Sequence, residues 1–174
     1  MSLGERITQA DAWLLDKVFQ PLADRLPERM NVLDVGMSFQ LGSLLFSAAS
    51  IIAVFIFNGI EDFSSMVFNI LIWALCVTFF IGLCRMRALV KPGYANPLRH
   101  VLRGVRIVSI PFTIYTMWQA NVTAPPFFQA MWFNALSNLV FVIGLYLISC
   151  EIRPPQASFK KDIWSRHMEK NGIR

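Results

Sequence analysis

The chain has 174 residues, of which 55% are hydrophobic and 16% charged, and its formal net charge is +5. A mean hydropathy of +0.50 and an apolar share above that of soluble globular chains argue against a water-soluble domain. The basic excess borders apolar runs rather than forming a nucleic-acid footprint, so no nucleic-acid partner is expected.

The first 34 residues carry charge throughout and hold no signal-peptide core, so this segment is expected to be retained on the cytoplasmic side. Leu14, Leu15, Val18, Phe19, Leu22 and Leu26 recur every three or four residues. That spacing predicts an amphipathic interfacial helix, kinked near Pro21. Six acids (Glu5, Asp11, Asp16, Asp24, Glu28, Asp34) face four bases in the same segment. Surface-seeking helices present bases to anionic lipid, so an acid-leaning helix is expected to dock on protein instead. The base-rich central connection described below is the expected receiver.

Charges then vanish from Val35 to Ile60, from Phe63 to Cys84 and from Ile107 to Cys150. Each stretch matches or exceeds the roughly 18–20 residues that cross a bilayer. These runs have no polar outer face, which excludes a soluble bundle. The last run would reach about 66 Å as one helix, so it must turn, and Asn121 to Pro126 with its paired prolines marks the place. The expected fold is an all-α integral membrane protein, a single domain with four transmembrane helices at about 35–57, 66–83, 105–120 and 127–150. The third is interrupted by Arg106 and Pro111.

All 16 Lys and Arg residues fall before the first span, in or beside the central connection, or after the fourth span. The two remaining loops hold only Glu61 and Asp62 or no charge at all. Positive charge stays on the cytoplasmic side, which predicts both termini inside, as an even number of spans requires. Trp118, Trp132 and Trp164 suit interfacial anchoring. The triplet Asn121-Val122-Thr123 reads as a tight turn against the bilayer rather than a glycosylation site.

In the central connection Leu98, Val101, Leu102 and Val105 alternate with Arg99, Arg103 and Arg106 in helical register. These three arginines are candidate contacts for anionic lipid headgroups, although topogenic charge with snorkelling side chains explains them too. A second amphipathic segment, with Phe159, Ile163, Trp164 and Met168, is expected to lie on the membrane in the 151–174 tail.

Inside the bilayer, Gly36, Gln40, Ser43, Ser47 and Ser50 follow one another at intervals of three or four, which places them on one face of the first span. Asn134, Ser137, Asn138 and Gly144 repeat the theme in the fourth, Asn69 stands in the second, and Ser109, Thr113 and Thr116 in the third. Buried amides and hydroxyls must be bonded in hydrocarbon. This polar seam therefore packs helix on helix, or lines a hydrated path.

No Asp, Glu, Lys or His stands in the core of a span, which argues against ion-coupled transport. His100 and His167 lie outside the core, excluding haem ligation between spans. Cys76, Cys84 and Cys150 form no metal-binding spacing. No cofactor, metal or catalytic residue is expected. The leading expectation is a non-enzymatic subunit of a bacterial inner-membrane complex, acting on other membrane subunits or on a second copy. A small oligomeric pore lined by the seam comes next, and an anionic-lipid sensor third.

Overall fold

The computed structural model describes residues 3–27, 30–58 and 63–152. Among them every regular element is helical. Helix α1 (Leu3–Leu14) runs through a π-helical turn, Leu15–Phe19, into α2 (Gln20–Asp24). The wide turn stands directly before Pro21. Proline has no N–H to donate and its ring crowds the carbonyl four residues back, so a local π register accommodates it where the sequence predicts a kink.

Two longer helices follow, α3 (Val32–Asn58) and α4 (Phe63–Met86). A 3₁₀ turn at Arg87–Leu89 leads through an irregular stretch to the short α5 (Leu98–Val101), then α6 (Arg103–Val122) and α7 (Phe128–Ser149). Each predicted span is a helix, but only α3, α4 and α7 are long and apolar enough to cross a membrane by those criteria. Helix α6 passes through Pro111 and carries Arg106 in its first turn. Glu28, Arg29, Glu61, Asp62 and the predicted amphipathic tail segment lie outside the described residues.

Helix α7 is central. Along one side it crosses α3 in antiparallel fashion: Gly36 lies against Ile148 and Gly144, Gln40 against Phe141, Ser43 against Ser137, and Ser50 against Ala130. Along another side it packs antiparallel to α6, with Thr113 near Asn138 and Arg106 near Ser149. Helix α4 leans on α3 through Trp73, whose indole Nε1 donates to the Leu44 carbonyl at 3.1 Å, and reaches the core near its end through buried Leu83 and through Phe79, whose ring lies 5.8 Å from that of Phe141, while most of its first half is exposed.

The apolar core is concentrated at one end of the bundle. Leu33, Met37, Leu83, Leu98, Leu102, Leu145 and Ile148 form one cluster, and Leu15, Ala23, Val32, Tyr146, Leu147 and Cys150 form its neighbour. Both gather where α3 begins and α7 ends. Lipid is as apolar as leucine, so burial drives packing only where the alternative is water. The end where the N-terminal helices and the central connection meet is that place.

Asn96 fastens this end. Its Nδ2 donates to the carbonyls of Ile148 at 2.7 Å and Cys150 at 2.8 Å, and its Oδ1 accepts from the Leu98 N–H at 2.9 Å. The first two bonds satisfy carbonyls that the end of α7 leaves without helical partners.

Candidate functional site

The polar seam is a packing surface between α3 and α7. Gln40 is buried and its Nε2 donates to the Phe141 carbonyl at 2.8 Å. Ser137 donates to the Ser43 carbonyl at 2.8 Å, Ser43 to the Gln40 carbonyl at 2.9 Å, and Ser50 to the Ala130 carbonyl at 2.9 Å. Ser47 is half-buried on the same helix. Asn138 belongs to the contact with α6: its Nδ2 donates to the Asn134 carbonyl at 3.0 Å and reaches the Thr116 hydroxyl at 3.4 Å. Asn134 is half-buried one turn earlier. Asn69 does not join them. It is exposed on α4, with no hydrogen-bond partner among the described residues.

The second polar site lies where α6 begins and α7 ends. Arg106 was expected to reach outward to headgroups with Arg99 and Arg103, but it is only 1% exposed. Its Nε and Nη2 donate to the two carboxylate oxygens of Asp11 at 3.0 and 2.8 Å. Its Nη1 donates to Ser149 Oγ at 2.7 Å and to the Arg99 carbonyl at 3.0 Å. The Tyr146 hydroxyl donates to Asp11 Oδ1 at 2.7 Å. The guanidinium lies 5.4 Å from the Tyr146 ring, on which Phe19 stacks at 4.6 Å. Burial forces this arrangement, because a guanidinium withdrawn from water must satisfy its fork of donors and balance its charge.

Two further ion pairs join the acid-leaning N-terminal segment and its neighbour to the basic connection, Asp16 with Arg99 and Asp34 with Arg87. The predicted contact between the two segments therefore exists. Arg103 stands beside the cluster, half-buried. The Gln20 side chain adds a pair of bonds to the Glu151 backbone, at 2.9 and 3.3 Å.

Tyr146 and Ser149 were not anticipated as partners of Arg106. Their spacing of three residues places them on one face of α7, but they end an apolar run and nothing in the sequence pairs them with a residue of α6. Asn96 had a signal in the dipeptide Asn96-Pro97, which favours a turn.

Burial pushes the Asp11 carboxyl up, but hydrogen bonds from Arg106 and Tyr146, with the charges of Arg106 and Arg103, outweigh it and hold the group below its ordinary value. A carboxylate lowered on docking stabilises the docked helix at every pH above its undocked value, about 3.9. Below that, the released helix takes up a proton first, and the contribution is lost as pH falls through the lower docked value. The distance between spin labels at positions 9 and 94, with Cys76 and Cys84 replaced by alanine, is therefore expected to stay constant from pH 8 to about 5 and to broaden only below about 4. Broadening near pH 6 would contradict the assignment.

Comparison with family models, with curated proteins and with solved structures finds no match to this chain.

Proposed function

We propose that the chain is a four-span protein of a bacterial inner membrane, with both termini cytoplasmic, that acts through protein contacts as an accessory, assembly or regulatory subunit. The helix directions support the fourth crossing. Helices α4 and α7 both run antiparallel to α3, so a chain that crosses in α4 must return before α7. Of the helices between them only α6 is long enough, since its 20 residues reach about 30 Å, the thickness of a hydrocarbon core.

The observation that carries the subunit reading is α4. Phe68, Leu71 and Leu75 are each more than 60% exposed on one face, and Asn69 is exposed on an adjoining side with Ile72, about 9 Å into the helix. Lipid covers the apolar residues well, but a primary amide in hydrocarbon is costly until bonded. A neighbouring helix with a polar group answers that need. In the seam, by contrast, Gln40, Ser50 and Ser137 bond across α3 and α7 and Ser43 bonds within α3, which leaves fewer groups to line a hydrated path.

A photo-crosslinking residue at Ile72, on the side of Asn69, is expected to give one discrete product of defined mass in native membranes, twice the chain mass if the partner is a second copy. Lipid adducts alone would overturn the subunit reading. In the companion experiment, liposomes carrying the wild type should show no solute or ion flux. A flux altered by Ser43→Leu with Ser47→Leu would replace the subunit with a pore.

A further inference from the structure

Arg99, Arg103 and Arg106 follow one another across α5 and the first turn of α6, and the first and third are held by carboxylates of the N-terminal segment, Asp16 and Asp11. The donors around Asp11 form a slot for an oxyanion: two N–H groups of Arg106 in bidentate geometry and the Tyr146 hydroxyl. Such a fork fits a phosphate as well as a carboxylate.

One side of the slot is held by groups other than its occupant. Ser149 and the Arg99 carbonyl fix the far side of the guanidinium, and both belong to the helical bundle rather than to α1. Tyr146 is fully buried in α7. Helix α1 is a separate layer, with Ile7 and Trp13 exposed at 42% and 59%. Replacing a buried ion pair with apolar residues is often neutral or stabilising, so stability alone does not account for burying this one. An exchangeable occupant does.

We infer that Arg99, Arg103 and Arg106, with Tyr146, form a binding site for a phosphate-type anion, and that the protein's own N-terminal helix covers it with the carboxylates of Asp11 and Asp16. Release of α1 and the turn that follows it frees Arg106 from Asp11 and Arg99 from Asp16, leaves Arg99 with Glu151 at 3.9 Å, and adds Arg103, giving three cations at the level of the membrane surface. The ligand chemistry is a phosphate oxyanion, supplied by a lipid headgroup or by a soluble phosphate. Binding and helix release are then linked: whatever occupies the slot must displace the helix, and loss of the helix must strengthen binding.

The test uses purified full-length protein in neutral detergent, titrated with short-chain phosphatidylglycerol and separately with inorganic phosphate, with phosphatidylcholine as the baseline. Asp11→Asn with Asp16→Asn should tighten binding by roughly 5- to 150-fold, the usual range of coupling between sites. Adding Arg106→Gln should abolish that gain. A gain for phosphatidylglycerol alone assigns a lipid ligand, and a gain for inorganic phosphate as well assigns a soluble one. No gain with either, or a gain that survives Arg106→Gln, overturns the site.

Should the double variant fail to fold, the wild type decides. Saturating phosphatidylglycerol or phosphate is expected to change the distance between spin labels at positions 9 and 94, because the ligand must release α1. An unchanged distance with both probes overturns the inference.

Discussion

Arg106→Met is expected to release the N-terminal helix, making Lys17 and Arg25 on that segment cleavable by trypsin at a rate at least roughly 10²-fold above wild type. Removing one partner of a buried ion pair costs about 3–5 kcal/mol, since the other charge is left in a poor solvent. Here that charge is Asp11, 4% exposed, which would keep only the Tyr146 hydroxyl. The helix can escape the penalty by undocking, which returns the carboxylate to water. Cleavage of a segment that opens and closes quickly follows the open population, and that is why the protease reads the free energy. The double variant Asp11→Leu with Arg106→Met leaves no unpaired charge and should dock better than Arg106→Met alone. If the single variant cleaves at the wild-type rate, the ion pair does not hold the helix.

The second large effect is expected at the crossing of α3 and α7. A Cβ built on Gly36 would lie 2.7 Å from Ile148 Cγ1, 2.8 Å from the Ile148 backbone nitrogen and 3.1 Å from the Gly144 carbonyl. A side chain can rotate away, but a backbone nitrogen within a helix cannot. Gly36→Ala must therefore push the helices apart, lengthening the Gln40 bond to Phe141 and loosening the seam. Overpacking of this kind costs about 1–3 kcal/mol and at times more. The controls lie in α3 and α4. A Cβ on Gly42 meets only Val140 Cγ1 at 3.6 Å, and one on Gly82 meets nothing within 4 Å. Gly42→Ala and Gly82→Ala should be neutral or slightly stabilising through helix propensity alone. Thermal unfolding in detergent separates the three, and an equal midpoint for Gly36→Ala and Gly82→Ala would refute the close crossing.

Much of this arrangement was readable in the sequence, because a bilayer restricts what an apolar run can do. The helices stand where the uncharged stretches are. The intervals from Gly36 to Ser50 gave a face, and α7 packs on that face. Charge bookkeeping also anticipated the meeting of the N-terminal segment with the basic connection, since six acids and a cluster of arginines have few other partners in so short a chain.

What was hidden depends on distance along the chain. Arg106 looked like one of three exposed arginines because periodicity reports which residues share a face, never which element will cover it. Its burial required Asp11 of α1 and Tyr146 and Ser149 of α7 to converge on α6. Asn69 is a different case. Its residue type calls for a polar partner within the bundle or beyond it, and since α4 meets α3 over only a limited surface the amide stays outside the bundle.

The antiparallel pair of α3 and α7 also governs biosynthesis. The partner of Gln40 is the carbonyl of Phe141, 101 residues further along, which a ribosome reaches roughly 5–20 s later. Throughout that interval the first span sits in the membrane with an unanswered amide and an open glycine notch. A nascent chain in this state resembles an unfinished client for whatever shelters polar helices during insertion. Stop codons placed before Phe128 should therefore yield a product degraded faster than its hydropathy alone would suggest.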